Sequence, residues 1–217
     1  MILSLSYPIS EDSPMYGGGR GFEREVLRSL SCGDATNSFR FSMPNHFGTH
    51  VDVPLHFIEG GKSLEEYPPD HWIFNDVEVV ECPKKPGDMI EAADVGLIRN
   101  TNATLVLFKT GFGRQRAHED YISRNPGISK DAAIRLRARP KLKAVGIDSI
   151  SVTAYERREL GREVHRILLG NVGDSEPLCL IEDMNLEMVN SGAIRKVMVA
   201  PLMIRGGDGS PCTVWAE

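Results

Sequence analysis

KAVGIDSISV (143–152), RRELGREVHRILLGN (157–171) and LCLIEDM (178–184) follow one another along the chain, and their order decides the fold. The first and third are short apolar runs with the length of buried strands. Between them Leu160, Val164 and Leu168 recur at helical spacing, and Gly170 or Asn171 suits a left-handed helix stop. Strand, helix, strand is the unit from which a sheet with helical cover is built. Upstream, DVEVVEC (76–82) and TLVLFKT (104–110) read as strands. SKDAAIRLRAR (129–139) reads as a helix with Ser129 as N-cap and Pro140 as its end. Downstream, KVMVAPLMI (196–204) is a further strand.

The first third is organised differently. ILSLSYP opens the chain as a strand, and NSFRFSM (37–43) alternates Phe39, Phe41 and Met43 with polar neighbours, the period of a half-buried strand. In 22–31, Phe22, Val26 and Leu30 fit a helical stripe or one strand face; the turn CGDATN that follows favours a hairpin. PKKPGD (83–88) and SRNPGIS (123–129) are loops, neither of them a domain linker. The expectation is one α/β domain over 1–217, not a bundle or a sandwich.

Composition removes several function classes. At 41% apolar and 25% charged the chain is an ordinary globule, neither disordered nor collagen-like. A net charge of −5 argues against a nucleic-acid partner. No apolar run approaches the ~18–20 residues of a membrane span. The start has no basic region and soon meets Pro8, Glu11 and Asp12, so the expected location is the cytoplasm. Cys32, Cys82, Cys179 and Cys212 form no CxxC pair and read as small core residues in a reducing compartment. GKS (61–63) is no phosphate loop, because His56 stands where that loop needs glycine. GGGRGF (17–22) fails the dinucleotide pattern, and no GxSxG elbow occurs. His71 and His118 stand alone among polar residues and read as surface histidines.

The chemistry concentrates in NHFGTHVDVPLHF (45–57). Gly48, the β-branched Thr49, Val51 and Val53, and Pro54 oppose a helix. Read as extended chain, His46, Gly48, His50, Asp52, Pro54 and His56 share one face, and the mostly apolar odd positions form the other. A solvated strand face would carry Lys, Glu, Thr and Ser. Three imidazoles and a carboxylate are a poor random draw for such a face, and two His with one Asp match the ligand set of a borderline divalent cation such as zinc or manganese. Glu182 follows Leu180 and Ile181 in a run that should be buried, and a buried carboxylate needs a partner, often a cation. His165 flanks the apolar stripe of its helix, where packing or capping is the plainer role. Asp148 is a candidate acceptor behind such ligands or a structural carboxylate.

At this point the sequence resembles the cyclase-like metal-dependent hydrolases, which include bacterial kynurenine formamidase and isatin hydrolase. Their signature H-x-G-T-H-x-D-x-P-x-H is matched by residues 46–56 at every specified position. LSLSYPI near the start, KTGF (109–112), GIDSISV (146–152), HRILLGN (165–171) and LIEDMNL (180–186) extend the resemblance over most of the chain. NVGDSEPLC makes the interval from His165 to Glu182 longer than in formamidases. The resemblance implies a mixed β-sheet or barrel-like body with flanking helices, of the swivelling β/β/α type. It also implies that His46, His50 and Asp52 are metal ligands, that Asp52 bridges where two ions are held, and that His165 and Glu182 complete a second position. His56 is then the catalytic proton carrier.

The implied reaction is hydrolysis of a C–N bond in a small amide, such as an aryl formamide like N-formylkynurenine, or of a related lactam or ester. One or two divalent ions per chain are expected, zinc before manganese, together with a homodimer or homotetramer. A catalytically idle metal- or ligand-binding relative, or a cyclase or dehydratase at the same metal, is the alternative. Tyr16 and Trp72 are candidate aromatic walls for the substrate, or plain packing residues.

Overall fold

Long apolar runs become the middle of one sheet, because only strands buried on both faces tolerate them. The computed structural model describes residues 2–171 and 175–217. The strands are β1 (Leu3–Ser4), β2 (Glu23–Arg28), β3 (Ser38–Ser42), β4 (His50–Asp52), β5 (Ile73–Phe74), β6 (Val77–Glu81) and β7 (Met89–Ile90). They continue as β8 (Leu105–Lys109), β9 (Gly127–Ile128), β10 (Ala144–Ile147), β11 (Cys179–Glu182), β12 (Val197–Pro201) and β13 (Gly209–Ala216). The helices are α1 (Ala92–Val95), α2 (Asp120–Ser123), α3 (Lys130–Arg137) and α4 (Arg158–Leu169).

The main sheet runs β5-β12-β13-β4-β11-β10-β8-β6, with β1 paired to β13. Its β11-β10-β8-β6 half is parallel, and its β5-β12-β13-β4 half is antiparallel. A bridge from Ser6 to Met184 carries the N-terminal segment from one half to the other, and the sheet curls into a barrel-like body. One core, with Leu5, Val51, Leu107, Ile181 and Val214, lies on one side of the sheet. A second, with Val106, Val145 and Leu180, lies under α3 and α4, which supply Leu136, Val164 and Leu168. The expected single α/β domain with a mixed, barrel-like sheet and few flanking helices is what the chain forms.

Several local expectations change. Ser129 caps α3 as expected, its hydroxyl accepting the Ala132 N–H at 3.3 Å. Gly170 ends α4 in an extended conformation (φ −89°, ψ 165°), not a left-handed one, because the chain runs straight on to Asn171. The β2–β3 hairpin forms, but β3 is not half-buried: Phe39 (47% exposed) and Phe41 (49%) stand out with Val26, Leu27 and Leu30. Among the described residues no third strand joins the pair and its apolar side chains stay exposed, so alternation alone does not bury a side chain. The hairpin connection passes through a turn at Leu30–Cys32. Cys32 is exposed there, whereas Cys82, Cys179 and Cys212 occupy the core. His71 is half-buried between Tyr67 and Trp72, with its Nε2 3.5 Å from the Cys179 sulfur. The interval between His165 and Glu182 includes 172–174, which lie outside the described residues.

Candidate metal centre and active site

The 45–57 segment is extended only over β4, where neighbours on both sides hold it: β11 pairs with it on one edge and β13 on the other. Two features correct the continuous ribbon expected from alternation. Gly48 lies in the left-handed region (φ 63°), which turns the chain between His46 and His50. Pro54, which has no N–H to give a ladder, begins a single 3-10 turn that ends at His56. The imidazoles nevertheless converge, because the turns at each end fold inward over the face of β4.

Register builds the floor of the site. His50 pairs directly with Glu182, and Asp52 lies two residues on along the same face. His50, Asp52 and Glu182 each offer a donor atom, all within 4.8 Å of one another; His46, Asp52 and His56 form a second such group. Asp52 belongs to both. α4 lays His165 across the floor, its Nε2 3.9 Å from Asp52 and 3.8 Å from Glu182.

The tautomers suit ligation. His50 Nδ1 lies 2.8 Å from the Gly48 carbonyl, and His165 Nδ1 lies 2.9 Å from the Gly161 carbonyl. A carbonyl can only accept, so each Nδ1 carries the proton and each Nε2 faces the carboxylates. His50 Nε2 is 3.4 Å from Asp52 and 3.3 Å from Glu182. Glu182 Oε1 accepts from the Val152 N–H at 2.7 Å and the Ser151 hydroxyl at 3.1 Å, while Oε2 faces His50.

Electrostatics point the same way. Asp52 and Glu182 are buried (1% and 4% exposed), and two carboxylates out of water demand positive charge nearby. Burial pulls the His50 pKa down, but its bond to Glu182 and the charges of Asp52 and Glu182 outweigh this and push it up to about 9. His165 is raised, the Glu182 bond and charge overcoming its burial. Burial pushes Glu182 up, yet the imidazoles of His165 and His50 hold it well below the usual carboxylate range. A donor set of imidazole Nε2 atoms and buried carboxylates with this demand for positive charge fits a divalent cation.

The rim is half-exposed. His46 Nδ1 lies 2.7 Å from Asp52, and its Nε2 lies 3.2 Å from Asp208. His56 stacks on His46 at 3.9 Å and directs its Nδ1 to Asp208 at 2.9 Å. Burial lowers the His46 pKa, but the Asp52 bond and charge prevail and raise it. Asp208 is pulled down, its bonds and charges from His56 and His46 outweighing burial. Gly209 is needed beside it, since a Cβ there would stand 2.3 Å from His46 Cε1. Asp208 is the residue that sequence reading missed. It lies between glycines in GGDGS, where turn composition hides it, and only the folded pairing of Gly209 with Asp52 brings it to the site.

A cavity of about 500 Å³ opens above these groups. Tyr16 lines it, edge-on to Tyr155 at 5.2 Å, and Phe57, Ile150 and Arg158 are part of the same wall. Arg158 lies over the Tyr155 ring at 4.5 Å. Trp72 is a correction. It is 4% exposed, packs on Tyr67 in the sheet's core and does not line the cavity, because the turn at Pro69–Trp72 points it inward. The hydrogen bonds of the Asp148 carboxylate go elsewhere: it accepts from the Thr110 and Gly111 N–H groups, each at 2.8 Å, and ties two loops together.

A family model described as "Putative cyclase" matches residues 3–154. The chain is 28% identical over 222 residues to cyclase-like protein 3 of Oryza sativa subsp. japonica, covering 97% of this chain and 77% of that one. It is 24% identical to the kynurenine formamidase of Bacillus mycoides (strain KBAB4), covering 96% and 93%. A solved structure described as a predicted metal-dependent hydrolase from Bacillus stearothermophilus is 25% identical, with a TM-score of 0.78 over 100% of this chain and 97% of that one. Isatin hydrolase A from Labrenzia aggregata shares the fold, with a TM-score of 0.83 at 23% identity over 100% and 93%. The match over 152 of the 217 residues, together with this motif and this fold, makes the chain a member of the cyclase family.

Proposed function

We propose that the chain is a metal-dependent amide hydrolase that cleaves the C–N bond of a small aryl amide. The observation that carries this reading is the convergence of His50, Asp52, Glu182 and His165, from two strands and a helix, on the floor of one cavity. His50, Asp52 and Glu182 would hold one ion, with His165 beside them; His46 and Asp52 would serve a second position. Imidazole-rich donors beside carboxylates favour zinc over manganese. An ion held by these residues would supply acidified water, with a pKa of about 7 in place of about 15.7, as the nucleophile at neutral pH.

The protein's own contribution is proton traffic and orientation. Asp208 accepts the Nδ1 proton of His56, which leaves Nε2 as the free base. From there His56 takes the proton of the attacking water and returns it to the departing amine. Tyr16, Tyr155 and Phe57 give an aromatic substrate a wall to lie against. The relatives named kynurenine formamidase favour an aryl formamide such as N-formylkynurenine; a lactam of the isatin type or a related ester has the same carbonyl chemistry. The exposed apolar hairpin supports a homodimer or homotetramer, and four unpaired cysteines support the cytoplasm. Among the described residues no helix is long and apolar enough to cross a membrane.

Metal analysis of the purified protein, combined with hydrolysis assays on N-formylkynurenine, isatin and aryl esters, tests the reading. Stoichiometric zinc or manganese with chelator-sensitive turnover is expected. Bound metal without turnover on the whole panel would make it an idle relative instead.

A further inference from the structure

Thr49 belongs to the signature motif, yet neither metal binding nor proton transfer uses it. It is buried at 2% exposure, and both capacities of its hydroxyl are filled. Oγ1 donates to the carbonyl of Asp183 at 2.6 Å and accepts the Tyr7 N–H at 3.1 Å. Asp183 is itself unusual. Among the described residues it is the one non-glycine with positive φ (51°), a conformation that persists only where the surroundings impose it.

Those surroundings are present. Arg116 donates to the Asp183 carboxylate from Nε at 2.9 Å and Nη2 at 2.7 Å, and the buried Tyr121 hydroxyl donates to the same group. Arg116 lies over the ring of Tyr7 at 4.2 Å. The Asp183 N–H donates to the Ser149 carbonyl at 2.8 Å. Asp183 is thus held on both its backbone and its side chain.

The location gives these bonds their meaning. The β4–β11 ladder ends at the pair His50–Glu182, and terminal pairs are the ones that fray. Thr49 and Asp183 are the next residues outward on the two strands, and their bond continues the pairing by one step after the ladder stops. We infer that the Thr49–Asp183 stitch, locked by Arg116 and Tyr121, is a positioning element that sets the separation of His50 from Glu182. The inference rests on the proposed metal site, but it concerns residues that touch neither ion nor substrate.

The test uses Thr49→Val, which keeps the shape without the hydroxyl, Thr49→Ser as the conservative rescue, and Arg116→Gln. Zinc affinity of the chelator-stripped protein is measured by competition with a chromophoric chelator, beside kcat, KM and the melting temperature without metal. Thr49→Val should weaken zinc binding about 10-fold or more and lower kcat with KM little changed, and Thr49→Ser should restore both. Arg116→Gln should act in the same direction more weakly, and it decides the matter if Thr49→Val does not fold. A Thr49→Val protein that melts earlier but keeps wild-type zinc affinity and kcat would overturn the inference, leaving Thr49 a purely structural residue. If the wild-type protein binds neither zinc nor manganese, the metal-site reading fails. The positioning claim is then decided by a crystal structure of Thr49→Val: a His50–Glu182 approach still at 3.3 Å would sink it.

Discussion

The floor and the rim of the cavity are built from the same residue types but in different media. On the floor His50, Asp52, His165 and Glu182 are each less than 10% exposed, and backbone carbonyls fix both imidazoles. On the rim, the side chains of His46, His56 and Asp208 are 20%, 27% and 35% exposed and orient one another. Buried charge is strongly coupled and hard to rearrange, whereas half-exposed groups exchange protons with solvent at little energetic penalty. That contrast divides the labour: the floor is suited to hold a cation, His46 stands between the two zones beside Asp52, and His56 with Asp208 is suited to move a proton. Asp52 alone belongs to both groups.

Asp52→Asn should therefore break both halves at once. It removes the shared carboxylate and leaves His50 and His46 short of a counter-charge, so metal content and activity should fall together, activity by at least about 10³-fold. Parallel metal analysis and turnover would check this. His56→Asn should separate the halves, keeping the metal while kcat drops by roughly 10²–10⁴. Equal loss of metal would erase the distinction between floor and rim. Asp208→Asn removes the orienting carboxylate from a position that water can reach, so a smaller fall in kcat, about 10-fold, is expected at unchanged metal content.

The smallest effect sharpens the contrast through pH. The His50 pKa rises from 6.5 to about 9, so in the metal-stripped protein its stabilisation is complete below about 6.5 and is lost as pH climbs toward 9. Glu182 acts at the opposite end, its contribution being lost only in acid, below its ordinary value of 4.5. Stripped protein should thus melt several degrees lower at pH 9 than at pH 6.5. Zinc-loaded protein should not, because the ion replaces the proton. Paired melting curves over that range decide it.

The legible parts of the chain were those where one physical demand dominates. Strands at 104–110 and 178–184 are buried on both faces, and their apolar runs announce it. The site motif was legible in composition but not in shape, since Gly48 and Pro54 turn a segment that alternation reads as straight. β13 escaped notice because it begins Gly-Ser-Pro, a turn signature, although it forms the longest strand. Asp208 escaped with it, because its role depends on a partner more than 150 positions away in the chain. Phe39 and Phe41 show the converse failure, since no periodicity reveals whether anything lies across a hairpin's face.

The lone outward-facing thiol at the tip of that hairpin has a practical use. Cys32 is exposed, whereas burial pushes Cys82 and Cys179 up to about 12 and raises Cys212 as well, so at neutral pH a maleimide should find a single sulfur. A dye attached there needs no cysteine-free background. Mixed donor- and acceptor-labelled preparations would then report, through energy transfer, whether chains associate: transfer above that of free dye marks two such tips brought together.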